Sequence, residues 1–449
     1  MKRIIDHFLS EWKLDEYRKP LLVRGARQVG KTYSIRRLGA MYQNFVEINL
    51  ELLPKARAVF EKDLDPERIC SDLSLIVKKP IIPGKTLLFL DEIQIVPQAI
   101  IALRYFYEML PELHVIAAGS LLDFAIQQVG IPVGRVQSLY MHPLSFIEYL
   151  VATGNYLAID EIINHKPEEE MSSAIHNLLL GLLGEYLALG GMPQSVQRWV
   201  EKKNPLGCAR VHSSLLNTYR QDFDKYARTL QVKYVALLFG HIPLQLGRKF
   251  KYSLVEGDYR KRELAPALDL LVTAGIAHKV YHSAGQGVPL GAQMDPQDYK
   301  VIFLDTGLAQ SVLNLDIAEW FLNPQQEFVN KGALVEAFIG QEILAYSDMN
   351  IKNYIYYWHK DASIGQAEID YLLQLNSVVV PVEVKAGLGS TLKSMHVFLE
   401  SHPKSPYGIR FSAQNYSVHN NIHSYPLYAV AKIMSDKNLE MRQAILALV

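Results

Sequence analysis

Cysteine is scarce in this chain of 449 residues, which contains only Cys70 and Cys208. The two cysteines lie far apart and form neither a CxxC pair nor a Cys/His spacing. This usage argues against a disulfide framework and against a structural zinc site, and it fits a reducing cytoplasm.

Long apolar runs are also missing. The longest, NLLLGLLGEYLALGGM at 177–192, is short for a bilayer span and has Glu185 in its middle, which predicts a buried helix. The first residues, MKRIIDHFLSEWKLDEY, mix charged and apolar positions and indicate an amphipathic helix rather than a signal peptide. We therefore expect no membrane segment and a cytoplasmic location.

The chain has no excess of charge of one sign, because 46 basic residues balance 46 acidic ones. The whole-chain charge thus gives no argument for nucleic-acid binding. Bases exceed acids locally between about residues 201 and 263, where a solvated helical face is the ordinary explanation. The length is enough for two to four domains with their own cores.

A phosphate-binding loop is the clearest feature that the sequence does contain. The apolar stretch Leu21 to Val23 runs into GARQVGKT at 25–32 and then into a predicted helix, the context that a P-loop requires. Its glycines let backbone N–H groups face phosphate oxygens at the positive end of that helix. A glycine-rich turn ending in a surface lysine is the weaker alternative. The predicted nucleotide-binding residues are Gly25, Ala26, Arg27, Gln28, Val29, Gly30, Lys31, Thr32 and Tyr33.

The segment KTLLFLDEIQ at 85–94 is the expected partner of this loop. Leu87 to Leu90 are continuously apolar, as a parallel strand buried on both faces should be, so Asp91 would lie at the strand tip. We expect Lys31 to bridge the β- and γ-phosphates, Thr32 and Asp91 to hold Mg²⁺, and Glu92 to orient the attacking water. A small-molecule kinase is disfavoured because two adjacent carboxylates suit water activation better.

Two further residues are candidates for the hydrolysis step. The predicted strand HVIAAGS at 114–120 ends in Ser120, which could hold the water, although a plain strand-to-loop turn is an equal alternative. Arg135 follows a glycine in a predicted loop and is a candidate arginine finger, acting within the chain or across a subunit boundary. Most loop arginines are simply solvated.

These motifs together resemble a group of prokaryotic AAA-type ATPases related to the archaeal ATPases. The resemblance is carried by RGARQVGKT, LFLDEIQ, GSLLDF and PVGRVQSLYMHPLSFIEYL, and later by LGGMPQSVQRW, YRQDFDKYA and FLDTGLAQSVL. It covers nearly the whole chain. It implies a C-terminal domain of unknown function with a restriction-endonuclease-like fold.

Near the C-terminus, charged residues interrupt two strands that otherwise look buried. Because strand side chains alternate, Glu383 and Lys385 in VVVPVEVKAG should project from one face, and Asp370 lies in the preceding strand. With Glu336 on an upstream helix, this pattern resembles the PD-(D/E)XK nuclease superfamily. The resemblance implies a site for Mg²⁺ or Mn²⁺, whereas a solvated Glu-x-Lys pair on an edge strand is the alternative. His359 and His402 have no metal-spaced partner, which favours structural roles.

The sequence thus predicts an α/β protein: a RecA-like P-loop NTPase core with AAA-type features, a helical and winged-helix middle, and a small nuclease-like α/β domain. The predicted domains are an ATPase core at 1–150, a helical lid at 151–232, a winged-helix-like domain and linker at 233–330, and an endonuclease-like domain at 331–449. A basic flank in the third segment would suit DNA or a protein partner.

We expect ATP and Mg²⁺ as ligands, with nucleotide state coupled to a C-terminal domain that acts on DNA. The alternative is a nucleotide-dependent switch whose C-terminal domain binds a partner, protein or nucleic acid, without cleaving DNA.

Overall fold

The computed structural model divides into two compact units. One contains residues 2–142 and 348–352, and the other contains residue 1, 143–347 and 353–449. We call the first the P-loop unit and the other the second unit. In the described part of the chain, no helix has the length and apolarity needed to cross a membrane. The structure describes residues 1–227, 229–360, 367–387 and 392–449.

The P-loop unit is built on a parallel five-stranded sheet in the order β2-β3-β4-β1-β5. Its central strands β3 and β4 are buried along their whole length, as their unbroken apolar sequences require. The elements are α1 (Ile5–Leu14), β1 (Leu21–Arg24), α2 (Lys31–Gly39), β2 (Asn44–Asn49), α3 (Pro54–Lys62), α4 (Pro66–Val77), β3 (Thr86–Asp91), α5 (Pro97–Met109), β4 (His114–Ala118), α6 (Leu122–Val129) and β5 (Gln137–Tyr140).

This topology places the predicted nucleotide residues at one edge of the sheet. Parallel strands end at a common edge, and residues 25–30 follow β1 while Asp91 ends β3. Between these two strands lies β4, whose end leads to Ser120. The fold therefore matches the RecA-like core that the sequence predicts.

The second unit combines many helices with an eight-stranded mixed sheet in the order β12-β13-β11-β10-β9-β8-β6-β7. The helices are α7 (Phe146–Ala152), α8 (Tyr156–Asn164), α9 (Ser173–Leu189), α10 (Pro193–Lys202), α11 (Pro205–Tyr226), α12 (Thr229–His241), α13 (Lys261–Thr273), α14 (Thr306–Val312), α15 (Glu319–Leu322), α16 (Pro324–Asn330), α17 (Gly332–Ala345), α18 (Lys393–Ser401), α19 (Val430–Asp436) and α20 (Leu439–Leu446). The strands are β6 (Ala277–Ser283), β7 (Met294–Phe303), β8 (Ile355–His359), β9 (Glu368–Leu375), β10 (Val378–Lys385), β11 (Gly408–Ser412), β12 (Ser417–His419) and β13 (Ile422–Pro426).

The compact units do not follow the predicted division into four domains. Strand β6 of the predicted winged-helix segment pairs with β8 of the predicted endonuclease-like segment, so the boundary at residue 330 cuts through one sheet. An isolated pair of strands is at best marginally stable, which explains why the β6-β7 ribbon extends a larger sheet. The first boundary of the units falls after residue 142 rather than after residue 150. A winged helix in this segment stays a prediction.

Candidate nucleotide site and C-terminal polar cluster

The loop after β1 has the backbone geometry that only glycine adopts easily. Gly25 has φ +138°, and a Cβ atom there would lie 2.1 Å from the carbonyl oxygen of Met141. Gly30, at the start of α2, has φ +106°. Both positions therefore need glycine for reasons of backbone conformation, and the first also for space.

Lys31 folds back onto this loop. It is 8% exposed, and its Nζ donates hydrogen bonds to the carbonyl oxygens of Gly25 (2.9 Å) and Ala26 (2.8 Å). Burial lowers the pKa of Lys31 to about 8, and the carboxylates of Glu92 and Asp91 act in the opposite direction. An ammonium held among carbonyl oxygens and near two carboxylates is a ready partner for an anion. Thr32 follows it in the first turn of α2.

Asp91 lies at the end of β3 and is 7% exposed. Its carboxylate accepts hydrogen bonds from the Asn49 side chain (3.2 Å) and the Glu92 backbone N–H (3.1 Å). Burial first, and then the charge of Glu92, raise the pKa of Asp91 to about 6. A nearby cation would stabilise the charged form of this carboxylate, because it offsets the free-energy cost of burying the negative charge.

Asn49 did not figure in the sequence prediction. It ends β2 and lies opposite Asp91 in the ladder between β2 and β3. The sequence did contain a signal for Asn49: it is a polar residue at the end of a strand that neighbours the predicted metal-binding strand.

Glu92 has a strained backbone and a defined side-chain position. Its φ of +52° is unusual for a residue with a side chain. The Oε2 atom accepts a hydrogen bond from Gln94 (2.6 Å) and longer ones from the backbone N–H and hydroxyl of Ser120 (3.4 and 3.5 Å). A Cβ atom at Gly119 would lie 1.8 Å from Oε1 of Gln94. The structure thus brings Ser120 to Glu92, and it adds Gln94 to the predicted set.

Arg135 is not near the phosphate loop of its own chain, which corrects the prediction of a finger acting within the chain. Helix α6 returns the chain to the opposite edge of the sheet, because β5 starts beside Leu21, the first residue of β1. There Arg135 pairs with Glu108 at 2.8 Å. The four residues of β1 put the two edges about 13 Å apart.

Arg3 braces the loop from the N-terminal segment, and sequence reasoning missed it. It is 4% exposed and donates hydrogen bonds of 2.8 Å to the carbonyl oxygens of Val29 and His142. Arg24 and Asp123, at the same edge, form an ion pair.

In the second unit, Glu383 and Lys385 project from the same face of β10, as predicted, and their side chains are 2.8 Å apart. Strand β10 is not an edge strand, since it pairs with both β9 and β11. Glu383 is 2% exposed, and Asp370 accepts a hydrogen bond of 2.8 Å from the Val384 backbone. These facts exclude the alternative of a solvated pair on a sheet edge.

Lys300 joins the predicted C-terminal residues and was not expected. Its ammonium is 2% exposed and lies 3.0 Å from Glu336 and 3.6 Å from Asp370, and it also pairs with Glu368. Burial alone would lower the pKa of Lys300, but these carboxylates raise it above its ordinary value. Burial raises the pKa of Glu336, against which Lys300 acts. A charged residue within the apolar strand DYKVIF was the available signal.

Within the described ranges, no set of three metal-ligating side chains includes Glu336, Asp370 or Glu383. Instead, the ammonium of Lys300 supplies positive charge between Glu336 and Asp370.

Comparison with known families assigns the first part of the chain. Residues 17–150 match a family model described as "AAA domain". Residues 180–319 and 331–430 match two models described as domains of unknown function (DUF8612 and DUF4143). A search of curated proteins found no significant match.

Several solved structures are similar to the chain at low identity. One is a Walker-type ATPase of Pyrococcus abyssi (15% identity, 69% of this chain and 95% of that chain, TM-score 0.43). Another is the Orc1 protein of Aeropyrum pernix in complex with DNA (15% identity, 70% of this chain and 90% of that chain, TM-score 0.26). TM-scores of this size add no support for a function. Residues 17–150 thus match an AAA domain, and their parallel five-stranded sheet has the arrangement of a RecA-like P-loop core.

Proposed function

We propose that this protein binds ATP with Mg²⁺ at residues 25–33 and hydrolyses it. The observation that carries the proposal is the position of Lys31, buried among loop carbonyls with Glu92 and Asp91 close enough to perturb its pKa. A triphosphate would replace those carbonyl contacts with stronger, charge-assisted ones.

Each residue then has one role. Lys31 binds the β- and γ-phosphates, and the backbone N–H groups of the loop bind the remaining phosphate oxygens. Glu92 orients the attacking water and accepts its proton, while Ser120 and Gln94 hold the Glu92 carboxylate in place. Asn49 fixes the orientation of Asp91.

The residues present fit a magnesium ion, because Thr32 and Asp91 offer the hard oxygen ligands that it prefers. The hydrogen bonds that the buried Asp91 carboxylate accepts come from neutral groups, the Asn49 side-chain amide and the Glu92 backbone N–H. When bound, Mg²⁺ would neutralise charge on the phosphates.

An ATPase assay with two variants tests this assignment. Lys31→Ala should abolish both ATP binding and hydrolysis. Glu92→Gln should keep ATP binding but slow hydrolysis by about 100-fold or more, because a general base is removed while the shape is kept. Wild-type-like turnover in Glu92→Gln would contradict the role of Glu92, and ATP binding by Lys31→Ala would contradict the site itself.

We further propose that the second unit responds to nucleotide state through a partner-binding, non-cleaving C-terminal region. Helix α17, the antiparallel strands β8, β9 and β10, helix α18 and the parallel strand β11 occur in the chain order of a restriction-endonuclease-like core. This order supports the predicted likeness to the PD-(D/E)XK superfamily. The residues Glu336, Asp370, Glu383 and Lys385 lie on these elements.

The position of Lys300 favours a C-terminal region that does not cleave DNA. Cleavage of a phosphodiester by this type of site needs carboxylates free to hold a divalent cation. Here a buried ammonium already lies between Glu336 and Asp370. A second Mg²⁺ or Mn²⁺ at this place would have to displace a lysine that the same carboxylates stabilise in its charged form. The residues present therefore do not fit that ion.

DNA cleavage remains the second candidate, since Glu383 and Lys385 keep the expected spacing. Incubation of the full chain with linear and branched DNA, Mg²⁺ or Mn²⁺, and ATP separates the two outputs. We expect no cleavage by the wild type, and none by Glu383→Ala. Cleavage that requires Glu383 would establish the nuclease instead. Gel-shift assays with and without ATP show whether DNA is the partner, and failure to bind DNA would favour a protein partner.

A further inference from the structure

A second cluster of titratable side chains lies beside Lys300 and has no role in the function proposed above. His282 of β6, Asp298 of β7 and His359 of β8 each offer one ligand atom, and these atoms all lie within 4.8 Å of one another. The spacing in sequence disfavoured His359 as a ligand, because its partners come from other strands. Pairing of β6 with both β7 and β8 brings these three residues together in the sheet.

The three side chains bring their donor atoms close together. Nε2 of His359 lies 2.9 Å from Oδ2 of Asp298. The rings of His282 and His359 are tilted by 45° to each other, with centroids 4.6 Å apart. The register between β6 and β7 shifts between Tyr281 and His282, as it does at a β-bulge. Bulges commonly re-aim a side chain beside a functional site.

His282 supplies an independent sign of a ligand. Its Nε2 atom is buried and has no hydrogen-bond partner in the described part of the chain. The ring's hydrogen bond to the His359 backbone therefore uses Nδ1, which leaves the lone pair of Nε2 available. A buried ring nitrogen without a partner normally needs an explanation.

Asp298 is held as a carboxylate by the residues around it. Its oxygens accept hydrogen bonds from Lys249, Tyr357 and His359. Tyr357 donates to Oδ1, while Lys249 lies 2.5 Å from Oδ2. The tyrosine would orient the carboxylate toward a metal, as outer partners of metal ligands usually do. The side chain of Lys249 is 45% exposed and can move away.

We propose that His282, Asp298 and His359 form a binding site for one divalent transition-metal ion of the zinc class. Two imidazoles and one carboxylate select zinc-like ions over Mg²⁺, which prefers oxygen ligands. Three protein ligands leave a coordination position open. The site is distinct from the carboxylates around Lys300, although Asp298 and Lys300 lie two residues apart on β7.

Zinc titration of the EDTA-treated full chain tests the assignment by calorimetry. We expect one Zn²⁺ per chain at this site, with the affinity reduced at least tenfold in His282→Ala and in His359→Ala. His396→Ala, which removes an exposed histidine of α18, is the matched control and should bind like the wild type. Affinities of both variants equal to that of the control would overturn the proposal.

Lys249→Met gives a measurement that does not depend on removing a ligand. Its ammonium competes with a metal for Oδ2 of Asp298, so its loss should raise the zinc affinity several-fold. If the cluster had only a structural role, Lys249→Met would lose an ion pair and its zinc affinity would not rise. Unchanged or weaker zinc binding by Lys249→Met would therefore count against the site.

Discussion

At the residue scale, the P-loop shows how glycine and lysine set up an anion site before any anion binds. The backbone at Gly25 runs so close to the carbonyl of Met141 that no side chain fits, and Lys31 closes the loop by donating to Gly25 and Ala26. In this closed loop the carbonyl oxygens provide the hydrogen bonds that the buried Lys31 ammonium would otherwise make with water. A ligand must replace these bonds, and phosphate oxygens do so with charge.

Gly25→Ala should therefore damage the site through its backbone. A methyl group would collide with Met141, and φ near +138° is strained for alanine, at a cost of about 1–3 kcal/mol. We expect ATP affinity to fall by about tenfold or more, measured by fluorescence titration. Gly84→Ala is the matched control, because it also has positive φ but no atom within 4 Å of the added Cβ. Equal losses in the two variants would show that strain alone, and not the close approach, matters.

Asp305 is a buried residue that connects two segments of the second unit. It is fully buried and accepts hydrogen bonds from the backbone N–H groups of Gly191 (2.6 Å) and Leu308 (2.9 Å). The stretches LGGMPQ and FLDTGL, which carried part of the family resemblance, thus meet in one structural contact. A Cβ atom at Gly190 would lie 2.2 Å from Asp305. This contact gives both motifs a role in packing.

Stability should depend on pH through Asp305. Burial raises its pKa from 3.8 to about 6 in the folded chain, so its stabilising contribution is full below pH 3.8 and is lost as the pH rises through 6. Between pH 5 and pH 8 this loss amounts to about 1 kcal/mol. Because Asp305→Asn has no such titration, its stability relative to the wild type should improve by that amount from pH 5 to pH 8 in urea unfolding. A difference that is constant with pH would contradict the assignment, and Asp316→Asn, at an exposed aspartate, is the control.

At the element scale, local patterns were sufficient for the strands and helices that carry the motifs. The apolar runs before Gly25 and Asp91 predicted β1 and β3, since a buried parallel strand is apolar on both faces. Period-two alternation likewise placed Glu383 and Lys385 on one face of β10. The sequence could not reveal that Lys300 joins them, because only tertiary packing brings β7 to Glu336 of α17 and to Asp370 of β9. The position of Arg135 depended on the direction of α6, which local patterns do not contain.

Helix α1 and the residues before it should act as a support for the P-loop. Arg3→Met removes charge-assisted hydrogen bonds to the carbonyls of Val29, which is buried, and of His142, which is partly buried. We expect the free energy of unfolding to fall by about 2–4 kcal/mol and the KM for ATP to rise several-fold. Urea unfolding and steady-state ATPase assays measure the two effects. Glu11→Gln, a change at an exposed position of α1, should leave both unchanged.

At the scale of the whole molecule, the division into two units separates the proposed ligands. Residues 25–33 and 91–92 belong to the P-loop unit, whereas His282, Asp298 and His359 belong to the second unit. Each unit has its own buried apolar cluster, one around β3 and β4 and one around β9 and α18. A ligand stabilises the part of a protein that binds it.

Calorimetric unfolding of the full chain should therefore show two transitions that respond to different ligands. Mg²⁺ and ATP, added to Glu92→Gln to prevent turnover, should raise only the transition of the P-loop unit. At 100 times Kd the gain is about 2.7 kcal/mol, or several degrees for a unit of this size. Gly25→Ala should lower that same transition and so identify it, and Lys31→Ala should abolish the ATP response. If ATP instead shifted a single transition of the whole chain, the units would unfold as one, and nucleotide binding would stabilise the proposed metal site as well.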